Sequence, residues 1–541
     1  MTTIKQPDVL IVGAGWAGMY ALHRLRRLGY TALILEAGSD VGGTWYWNRY
    51  PGARCDIEST HYSYSFDEDL QQEWTWTERY PSQPELLAYA HHVAERFDLR
   101  KDIHFDTQVT NADWDPTNEY WTLATQDGEN YSAPFCIMAT GPLSAPKSPE
   151  ISGLDSFSGS VLNTSNWPED VSDFSKQRVA VIGTGSSGIQ VIPEIAKTAE
   201  QLYVLQRTAS YSLPAHNRPL KSDEIATAKE QYPELRNAAR ESFDGLAIPN
   251  RGLSAFDVVE EERDEIYQEV YAKGAPFEFQ GTFTDQMTDI AANQTAAEFV
   301  AGKIEQRVDD PATAEALTPS TYPIATRRLC IDTDYYETFN RSNVKLIDLL
   351  SDPIDRVTEA GIKTEDHQYD VDTIVLATGF DAITGALNRI EIRGNNGQLL
   401  RDKWRDHISS YLGLMVNGFP NMFTVTGPLS PSVLSNMMVS LEHHVEWITD
   451  CIDYLSRKQV TTIEPTIEAE LDWSKHANDV AEGTLFPQSD SWYMGANVEG
   501  KSRQMLPYVG GVGHYRQITN KIAAAGYRGF ELHSSAQSAV R

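Results

Sequence analysis

The stretch from Asp8 to Glu36, DVLIVGAGWAGMYALHRLRRLGYTALILE, leaves this chain few choices of fold. Val9-Leu10-Ile11-Val12 reads as a strand buried on both faces, and it runs straight into Gly13-x-Gly15-x-x-Gly18. Leu22, Leu25 and Leu28 then recur at helical spacing, Gly29 stops the helix, and a second apolar run, Ala32 to Leu35, ends in Glu36. Each part has work to do in holding a dinucleotide. Gly13 permits the tight turn, Gly15 lets backbone reach a pyrophosphate, and Gly18 lets helix and strand pack closely. The helix N-terminus offers free N–H groups and partial positive charge to the phosphates. Glu36 lies 23 residues after Gly13, where a carboxylate accepts ribose hydroxyls. A lone GxGxxG would be weak, but strand, helix, second strand and terminal acid are all in register here.

The same unit recurs. Arg178 to Arg207, RVAVIGTGSSGIQVIPEIAKTAEQLYVLQR, repeats strand, glycine turn (Gly183-x-Gly185-Ser186-x-Gly188), helix and second strand. At the position matching Glu36 stands Gln206, followed by Arg207 and Thr208. Losing the acid and gaining a cation suits a 2′-phosphate, so this second site should prefer NADP over NAD. Two dinucleotide sites in one chain imply electron traffic between two cofactors.

With 541 residues, room remains for a large core divided among two or three domains. A net charge of −31 argues against nucleic acid and anionic membrane as partners. The polar first seven residues run directly into a strand, so no signal peptide is expected, and no apolar run approaches the ~18 residues a bilayer span needs. Cys55, Cys136, Cys330 and Cys451 are widely spaced with no CxxC pair, which suits reduced thiols in a cytoplasmic protein better than a disulfide frame or a zinc site.

The fold class these features predict is α/β, with two Rossmann-like dinucleotide-binding domains and a helical insertion. The first domain should take residues 1–145 and 376–541 and the second 146–220 and 326–375, with a helical, charged insertion over 221–325. Gly42 to Gly52, rich in aromatics, reads as loop and as the wall of a pocket for a flat ring. Pro84 to Leu99 and Asn436 to Leu455 read as helices, and Pro142 to Pro149 as a linker. Val371 to Gly379, VDTIVLATG, repeats the ending at Ala139-Thr140-Gly141 and should return the chain to the first domain.

Two further motifs carry a resemblance. Gly43-Thr44-Trp45 through Tyr50-Pro51-Gly52 to Asp56 matches GxWxxxxYPGxxxD in full. Phe157, Gly159, Trp167 and Pro168 match FxGxxxHxxxW followed by Pro or Asp, with Asn163 where the pattern has His. Both patterns belong to the Baeyer–Villiger monooxygenases, which this chain resembles over nearly its whole length; Pro431-Ser432-Val433-Leu434 is most similar to a short insertion lining the substrate pocket of the phenylacetone and steroid monooxygenases. The resemblance implies FAD in the first site, with Gly43, Thr44, Trp45 and Asp56 beside it, and NADPH in the second. It implies conversion of ketones to esters or lactones with O₂, through a C4a-peroxyflavin and a Criegee intermediate. By position, Arg328 matches the active-site arginine and Asp56 the carboxylate paired with it. Arg207, Thr208 and Arg327 match the positions that meet the 2′-phosphate, and Trp492 one near the nicotinamide ribose. A small-molecule ketone, no nucleic acid, no membrane, and a monomer or weak homo-oligomer complete the expectation.

Other readings stand beside it. A disulfide reductase needs a cysteine pair soon after the first turn, and Gly42 to Tyr50 holds none. A flavin-dependent N- or S-oxygenase differs mainly in substrate. A catalytically silent nucleotide-binding flavoprotein is favoured only by Asn163. For Asn163 itself the sequence suggests a connector between domains, setting their geometry.

Overall fold

The computed structural model describes residues 6–147, 149–248 and 251–534; the polar residues 1–5 and position 148 of the expected linker lie outside them. Two parallel five-stranded sheets organise the chain. The first stands in the order Met422–Thr424, Phe135–Met138, Val9–Val12, Ala32–Leu35, Ile103–His104. Val9–Val12 is no more than 7% exposed, because helix Trp16–Leu28 and the C-terminal elements cover one face and a smaller sheet the other. That smaller sheet is the antiparallel meander Val109–Asp115, Tyr120–Thr125 and Asn130–Ala133, with Glu391–Arg393 added in parallel at its edge. Gly29, at φ 90°, ends the first helix with its N–H on the Arg26 and Leu25 carbonyls.

The second sheet runs Val344–Asp348, Gln201–Gln206, Arg178–Ile182, Thr373–Leu376, Ser160–Asn163. Between Gln201–Gln206 and Val344–Asp348 the chain makes helices Ser222–Glu241, Glu260–Lys273, Ile290–Arg307 and Pro311–Leu317; the apolar faces of the last three join the core of this second unit, whereas Ser222–Glu241 packs Ala239 against Val439 and Val512 of the first. Beyond Leu376 the described residues return to the first unit. Helix Met437–Lys458, capped by the Asn436 side chain on Met438 N–H, lies against Trp16–Leu28. There Arg24 donates to Thr449 Oγ1 (2.7 Å) and Asp450 Oδ1 (2.6 Å), and Tyr20 donates to Glu446 (3.1 Å).

Three expectations need correction. The aromatic run is not all loop, since Thr44–Trp47 makes one helical turn, closed by Asn48 N–H on Thr44 O. Glycines and aromatics at this density hide so short a helix. Thr373–Leu376 pairs with Arg178–Ile182 and Ser160–Asn163, so VDTIVLATG still belongs to the second sheet and the chain returns only beyond it. Asn163 is no connector either: it ends the edge strand Ser160–Asn163, and its Oδ1 accepts from Ser165 N (2.9 Å) and Ser165 Oγ (2.7 Å), turning the chain. A four-residue strand at a sheet edge carries too little apolar pattern to be seen beforehand.

Candidate functional site

The first glycine turn is built as its spacing requires. A Cβ on Gly18 would lie 1.9 Å from Gly13 O, so only glycine lets the helix sit this close to the strand end. Gly15 and Gly43 face each other, and a Cβ on Gly43 would stand 2.8 Å from Gly15 Cα. Bare backbone therefore lines this side of the turn, as a pyrophosphate approach needs. Glu36 is buried, and its oxygens accept from Ala14 N (2.5 Å) and Gly38 N (2.7 Å). Burial raises the pKa of this carboxyl, and those two N–H groups oppose the rise. Trp45 is buried, edge-on to Tyr62 at 6.0 Å. The turn, the acid and the aromatic wall together fit a flavin dinucleotide.

The second turn repeats the geometry. A Cβ on Gly188 would lie 2.2 Å from Gly183 O, whereas one on Gly185 would meet nothing within 4 Å. Ser186 opens helix Ser186–Thr198. Thr208 O accepts from Thr184 Oγ1 (3.0 Å). Arg207 is exposed, and Arg327 is half-buried over the Tyr322 ring at 4.5 Å, donating to Asp490 O (2.8 Å). Burial lowers the pKa of Arg327 and the like charge of Arg207 lowers it further, so the two cations sit close enough to repel. A phosphate between them would relieve that repulsion, and these residues fit NADP. Gln206 is buried, and its side-chain amide donates to Ala316 O (2.7 Å).

Between the two turns, Arg328 meets Asp56. Its Nε and one terminal nitrogen donate to the two carboxylate oxygens, each at 2.7 Å, and the other terminal nitrogen donates to Val433 O (2.8 Å). The guanidinium lies 4.8 Å from the centre of the Phe277 ring. The side chains of Arg328 and Asp56 are only 19% and 23% exposed. Burial alone would lower the arginine pKa, but Asp56 holds it above the ordinary value, so the cation is permanent. Tyr493 adds a hydroxyl contact to Arg328, and burial pushes its own pKa up to about 12.

Of the expected insertion, Val433 reaches Arg328 through its carbonyl, Leu434 packs beside it, Pro431 O accepts from Leu434 N (3.2 Å), and Ser432 is held at φ 43°. Trp492 lies against Tyr493, tilted at 48° with ring centres 4.2 Å apart, beside the Arg328 cluster. Sequence reasoning missed Phe277, Tyr493 and Cys330. The Cys330 thiol lies 3.1 Å from Ser186 Oγ, and burial pushes its pKa to about 12. Tyr493 adjoins Trp492 and Cys330 lies two residues after Arg328, whereas nothing in the sequence signalled Phe277.

A family model described as pyridine nucleotide-disulphide oxidoreductase matches residues 10–242. The chain is 41% identical over 527 residues to acetone monooxygenase (methyl acetate-forming) of Gordonia sp. (strain TY-5), covering 97% of this chain and 99% of that one. It is 42% identical over 536 residues to a phenazine N-monooxygenase of Lysobacter antibioticus, covering 98% of each. Among solved structures, oxidized steroid monooxygenase bound to NADP superposes with a TM-score of 0.94 at 50% identity, over 98% of this chain and 100% of that one.

Proposed function

This chain belongs to the Baeyer–Villiger monooxygenases, and from that premise we propose that Arg328, aimed by Asp56, is the cation that stabilises negative charge during ketone oxygenation. The enzyme binds FAD and NADPH and uses O₂ to convert a ketone to an ester or lactone. Bound FAD and NADPH supply the hydride and the activated oxygen; the chain supplies the setting. In attack on the ketone, the carbonyl carbon would take the new bond, and negative charge would pass from the attacking oxygen to the carbonyl oxygen. A fixed guanidinium in a water-poor pocket stabilises both, where such stabilisation is largest. Arginine suits this role because it keeps its proton and presents several donors in one plane.

The observation that carries this reading is the bidentate contact between Arg328 and Asp56, made where the two nucleotide units meet. Gly13, Gly15, Gly18 and Glu36 hold FAD, with Gly43, Thr44 and Trp45 beside it. Gly183, Gly185, Ser186 and Gly188 hold the NADPH pyrophosphate, Arg207, Thr208 and Arg327 its 2′-phosphate, and Trp492 flanks its nicotinamide end. Pro431 to Leu434 form one wall for the ketone. Dithiol chemistry, which the wider family model suggests, has no support: all four cysteines are free and buried, and none pairs beside the first turn.

The test mixes the flavin-loaded protein with NADPH and O₂, then adds cyclic, aryl and steroidal ketones in turn. Faster NADPH loss with matching ester supports the reading. The N-oxygenase relative favours a second substrate class; stimulation by aromatic nitrogen heterocycles alone, with N-oxide formed, would select it instead.

A further inference from the structure

Asp56 belongs to the first nucleotide unit and Arg328 to the second, so their contact depends on how the two units are joined. Close to the pair, where Tyr50 and Ala53 pack into the core of the second unit, one side chain makes three hydrogen bonds across the join. Gln190, on helix Ser186–Thr198 of the second unit, accepts from Tyr50 OH (2.8 Å) and Arg54 N (3.4 Å) through Oε1. Its Nε2 donates to Arg54 O (3.1 Å). The amide thus pairs with the backbone of Arg54 as a neighbouring strand would, two residues before Asp56.

A second observation places the same loop on the same helix. Gly52 has φ +84°, and a Cβ there would lie 2.4 Å from the Gln190 carbonyl and 3.0 Å from Glu194 Cγ. The Tyr50-Pro51-Gly52 turn therefore rests directly on helix backbone, and any side chain at 52 would lift it away. From its other side the loop is held by Arg54 Nη1 on Glu78 Oε2 (3.0 Å) and Tyr80 O (2.7 Å), and by Gln83 N on Ala53 O (2.9 Å). Those contacts fix it within the first unit, whereas the Gln190 hydrogen bonds, beside the packing of Tyr50 and Ala53, tie it to the second.

We propose that Gln190 is a positioning residue for oxygenation: by clamping the Tyr50–Arg54 turn to the NADP-binding helix, it registers Asp56, and through it Arg328, against both cofactor sites. The proposal rests on the role assigned above to the Asp56–Arg328 pair. If the clamp is loosened, NADPH binding and flavin reduction persist, because Gln190 belongs to neither phosphate cradle. What degrades is the aim of the cation, so NADPH and O₂ end as hydrogen peroxide instead of one oxygen atom entering the ester and the other leaving as water.

The experiment compares wild type, Gln190→Met and Tyr50→Phe, each loaded with FAD. Gln190→Met keeps the length and removes every hydrogen bond, while Tyr50→Phe removes one and spares the Arg54 pairing. Amide exchange of the peptide spanning residues 50–57, read by mass spectrometry, should quicken about threefold to tenfold in Gln190→Met, the range that one or two modest hydrogen bonds are worth. It should change less in Tyr50→Phe. Ester formed per NADPH consumed should fall in the same order, with hydrogen peroxide rising to balance, while anaerobic flavin reduction and the NADPH KM stay within about twofold. Unchanged exchange would overturn the clamp itself. Faster exchange with full coupling would overturn its positioning role, and so would a loss confined to melting temperature. Should Gln190→Met fail to fold, Tyr50→Phe carries the same readouts. Failure of the broader reading looks different: wild type would form no ester from any ketone, while the exchange comparison would still report on the clamp.

Discussion

Arg328→Ala separates the proposed catalytic role of this residue from its structural one. The wild-type guanidinium makes two 2.7 Å contacts with Asp56 and one of 2.8 Å with Val433 O. Truncation leaves a mostly buried carboxylate without its cation. Breaking such a pair costs about 3–5 kcal/mol when fully buried, and with 19% and 23% exposure the lower end applies. The rate effect is separate: losing one oxyanion-type donor costs ~10²–10³ in turnover. The double variant Arg328→Ala/Asp56→Ala tells the two apart. It removes the orphaned carboxylate, so melting temperature should recover towards wild type while ester formation stays lost. Asp56→Ala alone should weaken oxygenation less, since the cation survives without its aim. Anaerobic flavin reduction by NADPH should persist in all three. The assay follows ester by chromatography alongside NADPH loss and peroxide release. An Arg328→Ala enzyme that forms ester at near-normal rates, with only its NADPH KM raised, would reduce Arg328 to a phosphate contact and refute the reasoning.

Three further outcomes follow from the geometry. Arg207→Ala should raise the NADPH KM roughly ten- to a hundredfold, the value of a charge-assisted phosphate contact, and leave NADH nearly unchanged; equal losses with both cofactors would remove the assignment. Asn163→His should remain a working enzyme, because a neutral imidazole can accept from Ser165 N–H much as Asn163 Oδ1 does; a rise from undetectable to high activity would mean that the natural residue cripples the chain. Asp244, whose carboxyl burial raises to about 6 against the opposing Leu246 N–H, binds its proton more tightly folded than unfolded. Its contribution to stability is therefore full below about pH 4 and lost as pH rises through about 6. Asp244→Asn should raise the melting temperature at pH 8 and leave it nearly unchanged at pH 4; thermal melts across that range decide.

Much of this was legible in the chain because dinucleotide turns demand local chemistry. Gly18 and Gly188 admit no side chain, and their spacing to Gly13 and Gly183 is set by one helical turn. The acid at 36 and its loss at 206 were equally readable, but what Gln206 does was not. Its amide reaches Ala316, 110 residues on, and no local pattern announces so distant a partner. The same holds for Phe277 and for the Val433 carbonyl. One lies in the helical insertion and the other in the returning segment, and both meet Arg328 only after the chain has crossed between units. Asn163 was misplaced because an edge strand of four residues, half of them exposed, has the composition of a loop.

That Asp56 and Arg328 come from different units bears on how far the enzyme is modular. Each nucleotide unit carries a full cradle for its own cofactor, so exchanging one for its counterpart from a relative looks like a matter of matching linkers. Yet neither unit owns the charge proposed for catalysis: one brings the cation, the other the acid paired with it, and the turn beside them is cut to the backbone of the opposite helix at Gly52. A chimaera joined at the linkers alone would inherit two working cradles and an unaligned pair. The seam, from Tyr50 to Asp56 on one side and from Ser186 to Glu194 with Arg328 on the other, has to be inherited as a single piece.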